Sequence, residues 1–350
     1  MARTWTNNSV WNLKEDRQGS LWIGTYCGGI CYVNFEDPKG FKTISVQSSK
    51  FSQNIISAFV ELGNQLWIGT EGSGMLCFDR GKGVSTSYKH EVNKNSLAYD
   101  NVKALLMDSI HHKLWIGMFR GGLDCLDLKT NTFKNYSEYD AGKRILINHV
   151  NRLVAEADSG IWVGYRDGDW TRMTYFSTTR NMSKHYYFKS KEYKNFIGTS
   201  VSDFCRDNKN NLWIASQERL HVMDVKTKEI HAVPIDTLNR RDVKNMNIQT
   251  LFWNKLDQSV WIGTNSFGLI QYDTKVGKFF YFSDILRFNV HSIYSIIADK
   301  QNNLWLGTDN GLFKFDRNRK YFFQYDKNDG LQGREFYPQD RKSTRLNSSH

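Results

Sequence analysis

The chain has 350 residues, a net charge of +11, 14% aromatic residues and 3 prolines. This composition is typical of a packed, β-rich protein and excludes a disordered linker. No run of about 18 apolar residues is present, which excludes a transmembrane helix, and the N-terminus has no signal-peptide core. The positive charge is scattered and forms no Lys/Arg-rich run, so it indicates no nucleic-acid site.

A Trp-Ile-Gly motif recurs seven times and predicts the fold. The copies read LWIGT, LWIGT, LWIGM, IWVGY, LWIAS, VWIGT and LWLGT, and their tryptophans are Trp22, Trp67, Trp115, Trp162, Trp213, Trp261 and Trp305. Successive tryptophans are 44 to 51 residues apart. A near-constant period of this length indicates one supersecondary unit used repeatedly.

Each repeat is predicted to contain four short strands joined by hairpins. An apolar segment such as 293–297 precedes a turn rich in Asp, Asn and Gly, and the Trp-Ile-Gly strand follows it. The third strand ends in an aspartate in five repeats, at Asp79, Asp127, Asp224, Asp273 and Asp316, and the fourth strand carries aromatic residues. Strands that are apolar on both faces indicate sheets stacked between like sheets.

These features predict an all-β fold, a single seven-bladed β-propeller of four-stranded antiparallel blades over residues 5–338. An open solenoid would need polar caps at its ends, and the first repeat is no more polar than the others. The tryptophans lie at one fixed position in every repeat, so we interpret them as blade core rather than as sugar platforms. The five cysteines are odd in number and scattered, which argues against a disulfide framework.

The form LWIGT…GGL…YD, with an Asp/Asn-Gly-type turn before the tryptophan, resembles the two-component regulator propeller repeat. The likeness is strongest at Asn7–Ile30 and Ala298–Asp316 and covers about residues 5 to 338. The segment 342–350 fits neither the repeat nor a family motif, and we interpret it as a non-native or disordered tail. The fourth and fifth repeats depart from the pattern, because they lack the paired glycines after the motif.

The resemblance implies a function in signalling. Propellers of this family form the periplasmic sensor of hybrid histidine kinases in Bacteroidetes, where they detect breakdown products of polysaccharides and regulate their utilisation genes. It implies an oligosaccharide ligand, an adjacent propeller and immunoglobulin-like domain, a homodimer, and an inner-membrane receptor. The chain shows no kinase motif or membrane segment, so we expect a non-catalytic fragment of such a receptor, without cofactor or metal and with its export signal elsewhere.

Candidate ligand-binding residues are expected where the repeats differ, on the propeller face that carries the strand 2–3 and strand 4–1 loops. Polar groups beside exposed aromatic rings suit a carbohydrate, and arginines suit a uronate or sulfate. The first set comes from the strand 2–3 loops: Tyr26, Phe119, Arg120, Arg166, Asp167, Trp170 and Arg219. The second set lies two residues before the first apolar residue of each repeat: Asn8, Asn54, Asp100, Asn148, Thr199, Met246 and His291.

Two alternative functions remain open from the sequence. A propeller polysaccharide lyase or glycoside hydrolase would need clustered carboxylates, for which Asp167 and Asp169 are the candidates. A protein-interaction scaffold is the other, although the Gly-His and Trp-Asp signatures of that class are missing. The segment 207–211 faintly suggests a calcium loop, but it occupies the hairpin-turn position and lacks the glycine and distal glutamate of such a loop.

Overall fold

The computed structural model describes residues 9–26, 28–35, 40–44, 55–136, 149–156, 160–165, 172–180, 182–187, 200–216, 219–234, 246–282, 290, 292–318, 320–325 and 329–331. They form seven four-stranded antiparallel sheets, the blades of a seven-bladed β-propeller. The predicted fold class is therefore confirmed. The described part of the chain has no helix with the length and hydropathy of a membrane span.

The blades follow one another along the chain. Blade 1 contains β1 (Val10–Glu15), β2 (Ser20–Thr25), β3 (Ile30–Asn34) and β4 (Lys42–Ile44). Blade 2 contains β5 (Ile55–Leu62), β6 (Gln65–Glu71), β7 (Met75–Asp79) and β8 (Val84–Tyr88). Blade 3 contains β9 (Val102–Asp108), β10 (Lys113–Met118), β11 (Gly122–Asp127) and β12 (Thr132–Asn135).

Blade 4 contains β13 (Val150–Glu156), β14 (Gly160–Tyr165), β15 (Arg172–Ser177) and β16 (Met182–Tyr187). Blade 5 contains β17 (Val201–Arg206), β18 (Asn211–Ser216), β19 (Leu220–Asp224) and β20 (Ile230–Val233). Blade 6 contains β21 (Asn247–Asn254), β22 (Ser259–Asn265), β23 (Leu269–Asp273) and β24 (Lys278–Tyr281). Blade 7 contains β25 (Ile293–Ala298), β26 (Leu304–Thr308), β27 (Gly311–Asp316) and β28 (Tyr321–Tyr325).

The first strand of each blade lies innermost and packs against the first strand of the next blade, so these seven strands surround a central channel. The ring closes where β1 packs against β25. Val10 and Leu21 of blade 1 share one apolar cluster with Trp305 and Leu312 of blade 7. Because the four strands of every blade are consecutive in the chain, closure comes from packing between two complete blades.

The repeated tryptophans are blade core, each 5% exposed or less. In four blades the indole N–H also donates to a turn aspartate: Trp22 to Asp16 (2.8 Å), Trp213 to Asp207 (3.0 Å), Trp261 to Asp257 (3.2 Å) and Trp305 to Asp299 (3.0 Å). The indole N–H groups of Trp67, Trp115 and Trp162 have no hydrogen-bond partner among the described residues. Burial is therefore common to all seven tryptophans, and the polar contact is not.

The glycine of the motif is where one blade meets the next. A Cβ added at Gly117 would lie 2.4 Å from Val150 Cγ1 of the following blade. The same contact joins Gly24 to Ile56, Gly69 to Val102, Gly164 to Val201, Gly263 to Ile293 and Gly307 to Val10. The partner is in each case the first buried residue of an inner strand. Blade 5 carries Ala215 at this position, and its methyl group packs in the same cluster as Ile248.

The Asp-rich segment 207–211 is a hairpin turn. Oδ1 of Asp207 accepts the backbone N–H groups of Lys209 (2.8 Å) and Asn211 (2.9 Å), and Oδ2 accepts the indole of Trp213. Both carboxylate oxygens are therefore engaged within the protein, as the turn interpretation requires. No group of three or more His, Cys, Asp and Glu side chains able to hold a metal ion occurs among the described residues.

Three of the cysteines, Cys31, Cys77 and Cys125, are buried in the core. Burial raises the pKa of the Cys77 thiol to about 11 and that of the Cys125 thiol to about 12. Both therefore remain protonated at neutral pH and serve as small apolar core residues. Cys27, which the sequence places four residues before Cys31, lies outside the described residues.

Candidate functional site

A β-bulge recurs at the same place in the inner strand of every blade. In blade 1, Val10 pairs with Thr25 and Asn12 pairs with Gly24, so Trp11 has no partner in the ladder. The same shift in register leaves one residue of each inner strand without a partner in the ladder: Trp11, Ser57, Lys103, Asn151, Ser202, Gln249 and Tyr294. A bulge redirects the side chain it carries. All seven of these bulge residues line one cavity.

This channel cavity has a volume of about 420 Å³ and lies where the inner strands begin. Glu71 and Asn265, at the ends of β6 and β22, also line it. It therefore opens on the propeller face that carries the strand 2–3 loops. The volume falls within the range of small-molecule sites, roughly 300–1,000 Å³.

Polar side chains of the inner strands connect neighbouring blades around the cavity. The Asn12 amide donates to the backbone carbonyl of Ser57 at 2.8 Å, and the Ser57 hydroxyl donates to that of Val102 at 2.6 Å. The Asn151 amide donates to the carbonyl of Val201 at 2.9 Å. These contacts fix the side chains in place and leave their remaining polar atoms at the cavity wall.

One side of the cavity is aromatic. The Trp11 ring stacks on Tyr294, with centroids 4.9 Å apart, and lies 5.5 Å from the tilted ring of Tyr26. Tyr26 is 37% exposed and stands beside the cavity. Burial raises the pKa of the Tyr294 phenol, so this group is a neutral hydrogen-bonding hydroxyl at physiological pH.

The opposite side carries two ion pairs. Lys103 of β9 pairs with Glu71 of β6, and the two side chains are 19% and 18% exposed. Nε of Arg152, in β13, lies 3.1 Å from Oδ1 of Asp203 in β17. Blades 3 and 4 thus contribute the cations, and blades 2 and 5 contribute the carboxylates.

Asp203 joins three consecutive blades through one carboxylate. Its Oδ1 accepts the N–H of Phe204 (2.9 Å) as well as Nε of Arg152. Its Oδ2 accepts the hydroxyl of Thr250 (2.9 Å) and the N–H of Leu251 (2.8 Å) on blade 6. Four hydrogen bonds fix this carboxylate, and through it they fix the near end of the Arg152 guanidinium.

Comparison with known proteins identifies the repeat. The family model described as two component regulator propeller matches residues 4–27, 195–218 and 288–310. Three of the seven repeats are therefore similar to the two-component regulator propeller repeat. The chain is also 27% identical over 308 residues to histidine kinase P4 of Formosa agariphila, covering 86% of this chain and 22% of that protein. The chain therefore spans about a fifth of the length of this curated relative.

Solved structures support the same architecture. Two extracellular domains assigned to hybrid two-component systems of B. thetaiotaomicron match with TM-scores of 0.70 and 0.69 at 20% and 17% identity. The first match covers 88% of this chain and 40% of that one, and the second covers 89% and 38%. PorZ, a surface component of the type-IX secretion system of Porphyromonas gingivalis, matches at a TM-score of 0.69 and 16% identity, over 90% of this chain and 48% of its own.

The three matched segments of the two-component regulator propeller repeat share a physical feature. Each contains an aspartate six residues before its tryptophan, at Asp16, Asp207 and Asp299, and each of these aspartates accepts the indole N–H. In blade 3 the turn is one residue longer, and Asp108 instead binds the His111 ring at 2.8 Å. The family pattern is therefore strongest in blades with this Asp–Trp hydrogen bond.

The structure places several predicted residues beside the channel cavity. Tyr26 contacts Trp11, as described above. Phe119 stacks on His149 with centroids 4.3 Å apart, and Arg120 lies over the Phe119 ring at 5.5 Å. Lys103 Nζ is 6.0 Å from the same ring, so Phe119 and Arg120 border the cationic side of the cavity. Arg219 is exposed in the tight β18–β19 connection and does not line the cavity.

The other predicted site residues lie outside the described residues: Arg166, Asp167, Trp170, Asn8, Asn54, Asn148, Thr199 and His291. Two further members of the expected polar ring are described, and neither lines the channel cavity. Asp100 accepts the backbone N–H of His90 at 2.7 Å, and Met246 is buried in the core of blades 5 and 6.

Sequence reasoning missed the bulge residues. The expected ring lies two residues before the first buried residue of each inner strand, whereas the ring that lines the cavity lies one residue after it. A sequence signal does exist: the residue that follows the first buried Val or Ile of each inner strand varies between repeats, from Trp11 to Lys103 to Tyr294. Variation at one fixed position of a repeat marks a position that the blade core does not constrain.

Proposed function

We propose that this chain is the ligand-sensing propeller of a periplasmic hybrid sensor histidine kinase, and that it binds a polysaccharide-derived oligosaccharide in the channel cavity. The observation that carries the proposal is the cavity itself, with aromatic rings on blades 1 and 7 facing hydrogen-bonding and charged groups on blades 3 and 4. Sugars present both an apolar face and many hydroxyl groups, so they use both kinds of wall.

The propeller itself would perform no chemistry. In the proposed receptor it would act with an adjacent propeller, an immunoglobulin-like domain and a second copy of the receptor, while the kinase lies elsewhere in the protein. A ligand shifts the balance between two receptor states only if it binds one of them better. The inner strands suit this role, since one ligand in the cavity contacts several blades at once.

The boundaries of this sensor unit are proposed to be 5–338, with 342–350 outside it as a tail. The relatives support an extracytoplasmic location, because two of the structural matches are extracellular domains of hybrid two-component systems. We consider a lyase or hydrolase less well supported than a sensor. Such an enzyme needs available carboxylates, and Glu71, which lines the described cavity, is paired with Lys103. Nothing in the described residues favours the scaffold alternative over a small-ligand site.

The test is calorimetric titration of the folded chain with a panel of plant, host-glycan and acidic oligosaccharides. We expect at least one to bind and Tyr26→Ala to weaken that binding about tenfold, since Tyr26 is the exposed ring beside the cavity. Tyr321→Ala is the matched control, because Tyr321 is 54% exposed on the outer strand β28. Absence of binding across the panel would contradict direct sensing by this propeller.

A further inference from the structure

We infer that the channel cavity contains a seat for an oxyanion, formed by Lys103 and Arg152, so that the ligand is an acidic sugar carrying a carboxylate or sulfate. This inference rests on the proposed function and specifies the chemical class of its ligand. Both side chains line the channel cavity, and their inner strands β9 and β13 are neighbours in the ring.

The order of charges around the cavity supports this assignment. Going from blade 2 to blade 5, the order is Glu71, Lys103, Arg152 and Asp203, that is, acid, cation, cation, acid. Each cation pairs with a carboxylate of the blade on the side away from the other cation, Glu71 of blade 2 or Asp203 of blade 5. In this order the two cations are neighbours with neither carboxylate between them, so an anion bound between them is attracted by both positive charges.

Arg152 is oriented for this contact. Its Nε is held by Asp203, and its Nη1 donates to the backbone carbonyl of Asn151 at 3.0 Å. Nη2 has no protein partner among the described residues, and the side chain is 31% exposed. A guanidinium fixed on one edge loses little rotamer freedom when its remaining N–H groups bind an oxyanion.

The aromatic side of the cavity completes the match to a sugar acid. In a ring of seven, the joint between blades 3 and 4 lies opposite blade 7, which carries Tyr294 next to Trp11 of blade 1. A ligand that spans the cavity therefore meets cations at one end and rings at the other. A uronic acid residue or a sulfated sugar has an oxyanion and an apolar pyranose face in this arrangement.

The experiment measures the affinity of the folded chain for three ligands of equal length: a uronic acid oligomer, its neutral methyl ester, and a sulfated oligomer. We expect the acid or the sulfated oligomer to bind about tenfold to a hundredfold more tightly than the ester. We also expect this preference to decrease as salt concentration rises, because the partly exposed cations are screened.

Variants identify the residues responsible. Arg152→Gln and Lys103→Gln should each weaken binding of the anionic ligand about tenfold more than they weaken binding of the methyl ester, so that most of the preference is lost. Lys209→Gln is the matched control: it removes the same charge from an exposed turn at the opposite end of blade 5 and should change neither affinity. Thermal melting checks that each variant is folded.

The outcomes separate the inference from the proposed function. Equal binding of acid, sulfated oligomer and ester would overturn the oxyanion seat and leave oligosaccharide sensing standing. A preference that persists in both Arg152→Gln and Lys103→Gln would overturn the assignment to these residues. No binding of any oligomer would overturn the proposed function. Preference for the uronate over the sulfated oligomer, or the reverse, identifies the oxyanion.

Discussion

Close approach between blades depends on single glycines of the Trp-Ile-Gly strands. At Gly117 an added Cβ would meet the stiff, β-branched side chain of Val150 at 2.4 Å. Because both residues belong to paired strands, neither can move away without disturbing a ladder. The motif therefore has two structural roles: its tryptophan fills the core of a blade, and its glycine leaves space for the inner strand of the next blade.

Replacing this glycine should destabilise the protein. We expect Gly117→Ala to lower the free energy of unfolding by about 1–3 kcal/mol, the cost of overpacking a filled interior. The reciprocal change, Ala215→Gly in blade 5, removes a methyl group where the structure already accommodates one, and should cost about 1 kcal/mol or less. Urea unfolding of both variants checks this order, and a Gly117→Ala variant as stable as the parent would contradict the close-contact explanation.

At the residue scale, sequence alone could predict which tryptophans are buried but not which are hydrogen-bonded. A buried Trp at a fixed repeat position follows from period and composition. The partner of its N–H depends on turn length, as Asp207 and Asp108 show: one additional residue in the blade 3 turn redirects the carboxylate to His111. The aspartate lies six residues before the tryptophan in three of these bonds but only four before Trp261, so spacing predicts the bond only when the turn geometry is known.

The connection between blades 2 and 3, residues 89–101, is held by one buried carboxylate. Asp124 of β11 accepts the N–H of Ala98 at 2.9 Å and the side-chain amide of Asn135. Burial raises the pKa of Asp124 from 3.8 to about 6, although both hydrogen bonds and the nearby His90 oppose this shift. The connection leads directly into β9, which carries Lys103.

This buried group should make stability depend on pH. Because the folded pKa lies above the unfolded value, Asp124 stabilises the fold below about pH 3.8, and that contribution is lost as pH rises through about 6. We expect the stability of the parent relative to Asp124→Asn to fall by up to about 3 kcal/mol over this window. Urea midpoints of both proteins between pH 4 and 7.5 measure it, and a constant difference would refute the assignment.

At the element scale, the number, order and pairing of strands could be predicted from the repeat, because each blade is one contiguous segment. The position of the β-bulge could not be predicted from the repeat. It depends on a shift of one residue in the pairing of β1 with β2 and of its six counterparts, and a hydrophobic pattern does not record such a shift. The bulge residues that line the cavity follow Val10 and its equivalents, whereas the polar ring expected from the sequence precedes them.

Closure of the ring depends on packing between blades 1 and 7. Phe35, which follows β3, stacks on Trp305 with ring centroids 4.8 Å apart, and Lys314 Nζ lies 5.9 Å from the Phe35 ring. Equivalent positions at other joints carry cations: Arg80 binds Asp16 at 2.7 Å, and Arg317 binds Asp257 at 2.6 Å. At these three joints, the residue that follows the third strand contacts the preceding blade.

Removing the ring contact at the closing joint should weaken the whole propeller. We expect Phe35→Ser to lower the free energy of unfolding by about 1–2 kcal/mol through loss of the aromatic pair and its buried area. Phe280→Ser is the control, since Phe280 is similarly exposed, 45% against 50%, but lies on the outer strand β24. Equal effects of the two substitutions in thermal and urea unfolding would show that the stack does not support closure.

The ring of bulges has a consequence for how propellers of this kind can vary. A bulge residue belongs to no ladder pair, and its position admits side chains as different as tryptophan, serine and lysine on one backbone. Under the proposed function, ligand preference would therefore change by substitution at seven positions without altering strand register, blade number or core composition. Under that proposal, relatives that bind other ligands should differ at the residue that follows the first buried residue of each repeat.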